Sequence, residues 1–590
     1  MFRKLFENAP WKRAIFFIIA DAIIFYLSFY MAYLLRFNLK IPPEHIFSST
    51  SLVAPIILIK IFITALFGIY YVTWRYFSLV DVKKILYALV LSDFVFIFYV
   101  NFIYKGPFPR TVIVIDFLLS FFLIVALRFS KRVWTEMPTK KGKKRAIIIG
   151  ANQKALDLIS HAKDEAFSYL PVSIVDDDKS FINSYISNIK VEDIKSLENI
   201  IDSKNIEAAI VAKEYEPNDL DKLFEKLSKL GVRDLKRFKL LGGKRENLTD
   251  ISIEELLARK PKDLDFGVIK RFIEDRVVLI SGAGGSIGSE IAKQCKKFGA
   301  KKILLLDHSE YNLYQINESL EGANKEILLQ SVVDRKLLKK SFKKYRPQIV
   351  IHAAAYKHVP MCEKNIEGAI LNNIIGTKNM IDLSIEYKAQ KFVLISTDKA
   401  VRPTNVMGTT KRVCELYAQN VDSKDTLITA VRFGNVLGSS GSVIPKFKKQ
   451  IEENKPLTVT HPDITRYFML IPEACQLVLQ AAAIAKDREL FVLDMGEPVK
   501  IVDLAKKMLK LYDKEHLGIK FTSLREGEKL YEELLIDEND KKTIYDSIFV
   551  AKESSYDFMK LSKDIENLLQ SDDKIVALKK IVPEFQHKDI

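Results

Sequence analysis

The sequence predicts an α/β protein whose largest domain is a doubly wound parallel sheet of the Rossmann type. Three observations lead to this prediction. Four apolar stretches open the chain, a strand–glycine–helix pattern follows them, and a second such pattern with more glycines begins near residue 276. We therefore expect a transmembrane region of four helices over 1–130, a degenerate nucleotide-binding-like α/β domain over 131–245, a linker over 246–270 and the main domain over 271–590.

Composition limits what the protein can be. With 590 residues the chain is long enough for three or four domains that each bury a core. Its content of 48% hydrophobic and 28% charged residues is typical of a globular protein with an added membrane part. The four cysteines show neither CxxC pairing nor metal-ligand spacing, which indicates a reducing compartment with free thiols: Cys295, Cys362, Cys414 and Cys475.

The four apolar stretches, at about 14–35, 52–72, 85–104 and 111–127, are long enough to cross a membrane. At about 1.5 Å of rise per residue they extend roughly 26 to 33 Å, against a hydrocarbon core of about 30 Å. No small-residue cleavage site follows the first stretch, so we interpret it as an uncleaved anchor.

Positive charge is distributed unevenly around these stretches. Residues 1–13, 73–84 and 128–145 hold 4, 3 and 8 Lys and Arg, whereas the two alternate loops hold 2 each. By the positive-inside rule both ends of the region face the cytoplasm, which predicts a multi-pass protein with a cytoplasmic soluble part. Topology and contact with anionic membrane lipid account for much of the net charge of +16, and we predict no nucleic-acid partner.

Each apolar stretch carries one ionisable residue: Asp21, Lys60, Asp93 and Asp116. These residues could line a transport pathway, or they could pair inside the bundle or lie near an interface. We favour the second interpretation, because four helices make a small transporter and the large soluble part needs its own explanation.

The segment RAIIIGANQKALDLISHA (145–162) is typical of a strand, a glycine turn and a helix, and a strand-like run at 206–212 supports a small α/β domain. Its turn lacks the second and third glycines of a phosphate-binding turn, without which the backbone cannot closely approach a pyrophosphate. We therefore predict a degenerate domain with a structural or regulatory role. Residues 248–265 are predicted as linker with one short helix.

The second pattern, RVVLISGAGGSIGSEIAKQCKKFG (276–299), has Gly282, Gly285 and Gly288 at G-x-x-G-x-x-G spacing between an apolar strand and a helix. Glycines permit a tight turn and close approach of a pyrophosphate. The helix N-terminus, around Ser286 and Ile287, offers free N–H groups and a positive dipole end. This turn predicts a dinucleotide site.

A second strand, KKILLLD, ends in Asp307, 25 residues after Gly282. A carboxylate there accepts hydrogen bonds from ribose hydroxyls and repels a 2′-phosphate, which predicts NAD rather than NADP. Asp334 and Arg335 follow a further strand and suit the adenine edge. Small side chains after the next strand leave room for the nicotinamide half: Ala353, Ala354 and Ala355.

Six motifs together make a more specific pattern: SGAGGSIG, HAAAYKHVP, STDKAVRPTNVMGTTKR, RFGNVLGSSGSVIPKF, HPDITRYFM and LREGEKLYEELL. With them the chain resembles the membrane-anchored nucleotide-sugar 4,6-dehydratases of polysaccharide biosynthesis, extended short-chain dehydrogenases that act on UDP-N-acetylglucosamine. The resemblance spans roughly 260–545. The anchor and the degenerate domain also fit the long-form members, in which methionine replaces the active-site tyrosine. Arg402, where the family is expected to have asparagine, departs from the pattern.

The resemblance implies a division of roles among residues at the end of the strand KFVLIS, where an open α/β sheet places its site. Asp398 is the acid at C6 of the sugar, Lys399 is the base at C5, and Thr397 holds the 4-hydroxyl. Lys411 bonds the nicotinamide ribose from one helical turn beyond Met407, which shapes the sugar pocket without reacting. Because methionine cannot take a proton, the acceptor of the 4-hydroxyl proton is either Asp398 directly or a water relay with Thr397, and we favour Asp398.

The resemblance also implies substrate contacts in a smaller substrate lobe and around it. Lys357 and His358 lie near the sugar, and Asn435 and Ser442 flank a loop that binds the diphosphate or the sugar. Three residues resemble those that clamp the uridine diphosphate: Arg466, Arg525 and Glu528. Since His461 has no second ligand at a suitable spacing, we predict no catalytic metal.

The leading interpretation is a homo-oligomeric, configuration-retaining NAD⁺-dependent UDP-N-acetylglucosamine 4,6-dehydratase of the bacterial inner membrane. Its product, UDP-2-acetamido-2,6-dideoxy-α-D-xylo-hexos-4-ulose, would feed bacterial glycan or protein-glycosylation precursors. Three alternatives stay open. A 4-epimerase would leave Asp398 and Lys399 without a required task. A C5-inverting dehydratase usually keeps the tyrosine, and a membrane-bound sensor would bind NAD or nucleotide sugar without turnover.

Overall fold

The computed structural model describes residues 10–71, 77–135, 142–162, 167–241, 245–257, 264–533, 541–552 and 554–587. The chain divides into two compact units, one up to Lys143 with Leu158–Leu170, the other Lys144–Asp157 with Pro171 onward. Some sequence predictions lie partly outside the described residues: the end of the second apolar stretch at residue 72, the basic segments at 1–9, 73–76 and 136–141, and the linker at 258–263.

The described part of the first unit contains four helices that are long and apolar enough to cross a membrane: Ala14–Arg36, Pro43–Leu66, Leu79–Tyr104 and Thr111–Ser130. The prediction of four such helices is confirmed. The α-helical segments that form them are α1 Pro10–Arg36, α2 Pro43–Ser51, α3 Val53–Leu66, α4 Leu79–Tyr99 and α5 Thr111–Thr135.

The second span differs from its predicted bounds of 52–72. It begins at Pro43, where proline is favourable because the first helical turn has no hydrogen bond for its missing N–H to lose. It ends with α3 at Leu66. Gly68 follows with a φ of 69°, a left-handed conformation that ends helices and that glycine adopts without strain. Hydropathy misplaced this span because the apolar residues Ile69–Tyr71 lie in a 3₁₀ turn.

The ionisable residues of the four spans are buried and paired. Lys60 Nζ lies 2.5 Å from Asp116 Oδ2 and 3.5 Å from Asp93 Oδ1. Arg128 Nη2 lies 2.8 Å from Asp21 Oδ2. Charges in apolar surroundings need such partners. The predicted pairing inside the bundle is confirmed, with Arg128 as a partner that the sequence did not suggest.

The second unit contains most of a seven-stranded sheet in the order β3-β4-β2-β1-β5-β6-β7, in which β1 and β6 pair with β5 in parallel. Its strands are β1 Lys144–Ile149, β2 Tyr169–Asp176, β3 Tyr185–Ile186, β4 Ile189–Asp193, β5 Ala208–Val211, β6 Asp234–Leu241 and β7 Arg245–Asp250. Its helices are α6 Gln153–His161, α7 Leu197–Lys204, α8 Pro217–Lys229 and α9 Ile253–Leu257.

This middle domain is longer than predicted. Strand β7 pairs antiparallel with β6 from Arg245 to Asp250, and α9 packs on α8. Both elements were placed in the linker, and the predicted boundary at residue 245 is therefore wrong. The sequence RENLTD resembles a linker because it is mostly charged and polar and lacks the alternation of apolar residues that is typical of a half-buried strand.

A nine-stranded sheet follows in the order β10-β9-β8-β11-β12-β13-β18-β22-β21. Pairing is parallel from β10 to β18 and antiparallel for β22 and β21, so the predicted doubly wound parallel sheet is confirmed. Its strands are β8 Val277–Ser281, β9 Lys302–Asp307, β10 Lys325–Leu329, β11 Ile349–His352, β12 Lys391–Ile395, β13 Leu427–Arg432, β18 Leu490–Leu493, β21 Lys541–Lys542 and β22 Ile548–Ala551.

Helices cover this sheet and extend beyond it: α10 Phe266–Ile273, α11 Ser286–Lys297, α12 Glu310–Ser319, α13 Arg335–Tyr345, α14 Val359–Lys364, α15 Ile366–Ala369, α16 Gly376–Glu386, α17 Val406–Asn420, α18 Val443–Glu452, α19 Ile471–Ile484, α20 Ile501–Leu511, α21 Phe558–Gln570 and α22 Lys574–Ile581. The C-terminal helices α21 and α22 pack on α17, which is buried from Val406 to Gln419.

A smaller lobe combines α18 and α20 with three two-stranded sheets, β14–β17, β15–β20 and β16–β19. Its short strands are β14 Asn435–Val436, β15 Leu457–Val459, β16 Thr465–Arg466, β17 Phe468–Met469, β19 Val499–Lys500 and β20 Ile519–Phe521. One apolar cluster joins Phe447 and Leu504 of this lobe to Phe224 and Leu256 of the middle domain. The lobe therefore rests on the middle domain.

Candidate active site

A cavity of about 970 Å³ opens where the strand order reverses, at the carboxyl ends of β8, β11 and β12. In an open α/β sheet this edge is the usual place for a ligand. Eighteen of the residues predicted from sequence line it: Gly282, Gly285, Ser286, Ile287, Gly288, Ala353, Ala355, Lys357, His358, Thr397, Lys399, Met407, Lys411, Asn435, Ser442, Arg466, Arg525 and Glu528.

The glycine turn between β8 and α11 has no room for side chains. A Cβ on Gly288 would lie 2.1 Å from the carbonyl oxygen of Gly282, and a Cβ on Gly282 would lie 2.8 Å from Ala354 Cα. Gly284 is equally constrained, since its Cβ would lie 2.4 Å from Asn312 Cβ. The backbone of the first turn of α11 is thus left open to the cavity.

Asp307, at the end of β9, is buried and serves this turn. Its carboxylate accepts hydrogen bonds from Gly284 N and Ser309 N, both at 3.0 Å. Ala354 packs against Gly282 and does not line the cavity. The ribose contact expected of Asp307 stays a prediction.

Asp334 and Arg335 are not brought to the cavity. Asp334 accepts a hydrogen bond from Leu337 N and caps α13. Arg335 Nη1 lies 3.3 Å from Asp382 Oδ2. Asp334 thus caps α13 and Arg335 ties α13 to α16, roles that the sequence did not indicate.

Thr397, Asp398 and Lys399 follow β12 and form one hydrogen-bonded group. The Thr397 hydroxyl donates to Asp398 Oδ1 at 2.8 Å, and Lys399 Nζ donates to the same oxygen at 3.0 Å. Lys399 Nζ also donates to Asn435 Oδ1 at 3.2 Å. Asp398 Oδ2 is buried and has no hydrogen-bond partner within the described ranges. One carboxylate oxygen is therefore held, and the other is available.

Gly434 makes space for this carboxylate. A Cβ on Gly434 would lie 3.3 Å from Asp398 Oδ2 and 3.3 Å from Met495 Cε. Gly434 also lines the cavity, so Oδ2 lies directly behind the cavity wall.

The pKa values of Lys399 and Lys411, two of the lysines that line the cavity, shift in opposite directions. Burial lowers the pKa of Lys399, but the carboxylates of Asp398 and Glu532 outweigh it and raise that pKa above its ordinary value. Burial lowers the pKa of Lys411, which lies one turn beyond Met407 on α17. Lys399 is thus held as an ammonium, whereas Lys411 is easier to deprotonate.

His352, at the end of β11, lies beneath the cavity and bonds Ser281 Oγ at 2.6 Å and Thr377 Oγ1 at 2.9 Å. Burial, with a smaller effect of Lys411, lowers the pKa of His352 to about 3. The imidazole is therefore neutral and ties β8 to α16.

Arg466 is held by the protein itself. Nη1 donates to Thr465 O at 2.7 Å and to Leu530 O at 3.2 Å, and Nη2 donates to Lys529 O at 2.8 Å. These bonds fasten the segment around residue 530 to the smaller lobe. Its expected diphosphate contact stays a prediction, supported by its position in the cavity wall.

The other predicted substrate residues surround the same opening. Glu528 accepts a hydrogen bond from Arg525 N at 3.1 Å. Ser442 stands at the N-cap of α18, and its Oγ is buried without a hydrogen-bond partner in the part of the chain that the structure describes. Lys446, one turn further on α18, adds a cation that the sequence did not single out.

Glu532 is the main site residue that sequence reasoning missed. Its carboxylate is nearly buried, and Oε1 lies 3.8 Å from Lys399 Nζ and 3.9 Å from Arg466 Nη2. The motif LREGEKLYEELL contains it, but four glutamates in that motif look alike in sequence. Only the two leucines that follow Glu532 and Glu533 in sequence, Leu534 and Leu535, could have suggested that one of these glutamates is buried.

The family model described as "Polysaccharide biosynthesis protein" matches residues 278–553. The capsular polysaccharide biosynthesis protein CapD of Staphylococcus aureus is 40% identical over 538 residues, which cover 87% of this chain and 89% of that protein. The probable polysaccharide biosynthesis protein EpsC of Bacillus subtilis is 42% identical over 522 residues, which cover 85% and 87%.

Among solved structures, Pen from Bacillus thuringiensis is 34% identical, with a TM-score of 0.45, and the match covers 48% of this chain and 89% of that one. The alignments with CapD and EpsC cover 87% and 85% of this chain, so they extend well beyond the residues matched by the family model. On this likeness over nearly its whole length, the chain belongs to the polysaccharide biosynthesis protein family that includes CapD and EpsC.

Proposed function

We propose that the protein is an NAD-dependent UDP-N-acetylglucosamine 4,6-dehydratase that retains configuration at C5. Asp398 and Lys399 carry the proposal, because they place a carboxylate and an amine 3.0 Å apart beside the cavity. Elimination of water from a sugar needs an acid and a base at neighbouring carbons. Epimerisation at C4 needs removal and return of hydride and one group for the 4-hydroxyl proton, so it would give Asp398 a task but none to Lys399.

The residues at the carboxyl end of β8 fit a dinucleotide, since the positions of Gly282 and Gly288 exclude any Cβ and expose the backbone of α11. NAD, when bound, would accept hydride from C4 of the sugar and return it to C6. The residues proposed to hold it are Gly282, Gly285, Ser286, Ile287, Gly288, Ala353, Ala355 and Lys411, with Asp307 at the ribose.

Asp398 is proposed as the group that handles the hydroxyl protons. Its Oδ1 is fixed by Thr397 and Lys399, so the carboxylate cannot rotate freely. The unpartnered Oδ2 can take the proton of the 4-hydroxyl and later give it to the C6 hydroxyl as water leaves. Asp398 would thus be the proton acceptor at the position where a tyrosine is absent, since Met407 has no exchangeable proton.

Lys399 is proposed as the base at C5, for which its amine must first lose a proton. Asn435 holds the Nζ atom at 3.2 Å and so fixes where that amine points. Lys411, buried beside Met407, would bond the nicotinamide ribose and add positive potential.

The substrate would be held by the cations and polar groups of the cavity wall. Lys357, His358 and Ser442 are proposed at the sugar and the loop, and Arg525, Glu528 and Arg466 at the uridine diphosphate. A guanidinium suits phosphate because its donors form a planar fork.

The setting proposed for this enzyme is the bacterial inner membrane, with the site in the cytoplasm, where nucleotide sugars are made. Four membrane-length helices support the anchor. The product would feed glycan or glycoprotein precursors, and the active form would be a homo-oligomer. The middle domain is proposed as a structural or regulatory support for the smaller lobe.

The test uses the purified full-length protein with NAD and UDP-N-acetylglucosamine in deuterated water. The dehydratase should give a product that has lost water and carries deuterium at C5, with the original configuration by NMR. Formation of UDP-N-acetylgalactosamine would instead identify an epimerase, and an inverted C5 would identify the inverting reaction. Unchanged substrate with tightly bound NAD would favour a sensor.

A further inference from the structure

Glu532 is the second carboxylate beside Lys399, after Asp398. Its side chain is 4% exposed, less than the 17% of Lys399, and its Oε1 lies 3.8 Å from Lys399 Nζ. The carboxylates of Asp398 and Glu532 thus approach the same ammonium, Asp398 through a hydrogen bond of 3.0 Å and Glu532 through an ion-pair contact.

The charges in this group balance. With Asp398 and Glu532 ionised and with Lys399 and Arg466 protonated, the four groups sum to zero. If one proton moves from Lys399 to Glu532, the sum is still zero. Moving charge within a buried cluster avoids the cost of leaving a net charge in a region of low dielectric. Loss of that proton to water would leave a net negative charge.

We propose that Glu532 is the proton-sharing partner of Lys399, a positioning residue that frees the amine to act as the base at C5. This inference rests on the proposed dehydratase. The Lys399 ammonium gives one proton to the Glu532 carboxylate, forming a neutral amine and a carboxylic acid. The amine then takes the proton from C5. When C5 is reprotonated, the amine supplies that proton and recovers the one on Glu532, which restores the ammonium and the carboxylate.

The surroundings of Glu532 suit this task. Burial raises the pKa of Glu532, with a further contribution from Asp398, while Lys399, Arg466 and Lys529 act in the opposite direction. The carboxylate is therefore a better proton acceptor than an exposed glutamate. Arg466 fastens this segment through Lys529 O and Leu530 O, which keeps Glu532 in reach of Lys399.

The test compares full-length wild type, Glu532→Gln and Glu532→Asp from about pH 6 to 9, with Glu533→Gln as a matched control. Glu533 is the adjacent carboxylate, 42% exposed and paired with Arg402. The wild-type rate should be nearly independent of pH, because the shared proton stays within the pair. In Glu532→Gln the rate should rise about tenfold per pH unit, because Lys399 must then lose its proton to water. Glu532→Asp should restore part of the plateau.

A merely structural role would lower the rate by the same factor at every pH, and that result would overturn the proposal. A second measurement needs no turnover. Labelling with trace acetic anhydride at a series of pH values, read at Lys399 by mass spectrometry, reports the pKa of this amine. Glu532→Gln should lower that pKa by about one unit. An unchanged pKa would overturn the role of Glu532, whereas absence of dehydration in wild type would overturn the proposed function alone.

Discussion

The two sheets of the second unit begin with the same structural arrangement. Val211 is paired with Ile149 in the first sheet, and His352 is paired with Ser281 in the second. In each sheet the residue that directly follows the first of these strands is a glycine, Gly150 after β1 and Gly282 after β8. The glycine packs against the residue two positions past the neighbouring strand.

An aspartate completes the arrangement in both. Ala151 N donates to Asp176 Oδ2 at 2.6 Å, and Gly284 N donates to Asp307 Oδ2 at 3.0 Å. The strand, the glycine and the acidic residue at the end of the next strand are therefore features of the fold and do not by themselves indicate a cofactor.

What differs is the residue that faces the glycine. A Cβ on Gly150 would lie 2.7 Å from Lys213 Cβ, whereas the same atom on Gly282 would lie 2.8 Å from Ala354 Cα. Lys213 Nζ reaches across the turn to within 3.4 Å of Asp176 Oδ1 and also pairs with Asp177. Burial opposes the change, but the N–H groups of Ala151 and Asp178, together with Lys213, lower the pKa of Asp176 to about 2.

The turns also differ in length. Helix α6 begins three residues after Gly150, and α11 begins four residues after Gly282. One sheet thus closes its turn with an ion pair and a shorter loop, and the other leaves an open glycine cradle. The number of glycines and the size of the facing residue therefore separate an open turn from a closed one.

Removal of the Lys399 side chain should have the largest effect on the rate of dehydration. It tests whether the catalytic residues lie at the second sheet and not at the first. In Lys399→Ala, dehydration should fall by about 10²- to 10⁴-fold, as expected for loss of an acid–base group. NAD binding should be unchanged, because Lys399 follows β12 and is not part of the glycine turn. Product formation by mass spectrometry and NAD titration measure the two effects. Survival of dehydration would mean that another group is the base at C5.

A methyl group on the glycine turn should distinguish the two sheets directly. In Gly288→Ala the Cβ would meet the carbonyl oxygen of Gly282, so NAD affinity should fall by about 10- to 100-fold, in line with the cost of overpacking. The matched control is Leu156→Ala, at the equivalent spacing from Gly150 in the middle domain, which should leave NAD affinity unchanged. Equal losses from both variants would show that the first turn also contributes to binding.

Exchange of the facing residues should sharpen the same distinction. Ala354→Lys gives the second turn a lysine at the position that Lys213 has in the first. This lysine should fill the space beside the glycine turn and pair with Asp307, so NAD affinity should fall by about tenfold. Lys213→Ala should remove the ion pair without creating a second NAD site, because the first turn still lacks two glycines. Calorimetric titration of each variant gives the affinity and the number of sites.

The contact between the middle domain and the smaller lobe should show the smallest effect. Lys507 Nζ lies 2.7 and 2.8 Å from the two carboxylate oxygens of Asp221, at a partly exposed position. Lys507→Ala should lower the free energy of unfolding by about 1 kcal/mol or less, because exposed ion pairs contribute little. Urea unfolding in detergent measures this, with the exposed neighbour Lys506→Ala as control. A much larger loss would mean that this ion pair, and not the apolar cluster, holds the lobe.

Sequence patterns predicted the features that depend on residues close together in the chain. The G-x-x-G-x-x-G spacing located the turn at Gly282, and the apolar runs located the parallel strands. The charged strand β7 was missed because its polar side chains follow the pattern of a loop, and the second span was displaced because Gly68 breaks an apolar run.

Contacts between distant residues were not predictable in this way. Glu532 and Lys399 are 133 positions apart, and only the folded smaller lobe brings the carboxylate to the amine. Asn435 was expected at the substrate but also orients Lys399. Arg466 was expected at the diphosphate, yet most of its donors bind backbone carbonyls that sequence cannot locate.

We expect the second sheet to hold the dinucleotide and the first sheet to hold none, because the first turn lacks two of the three glycines. The number of NAD molecules bound per chain, measured by equilibrium titration of the full-length protein and of Gly288→Ala, tests it most directly. We expect one molecule in wild type and greatly weakened binding in the variant, with no residual tight site. Two molecules per wild-type chain, or one tight molecule that persists in Gly288→Ala, would show that NAD also binds outside the turn at Gly288.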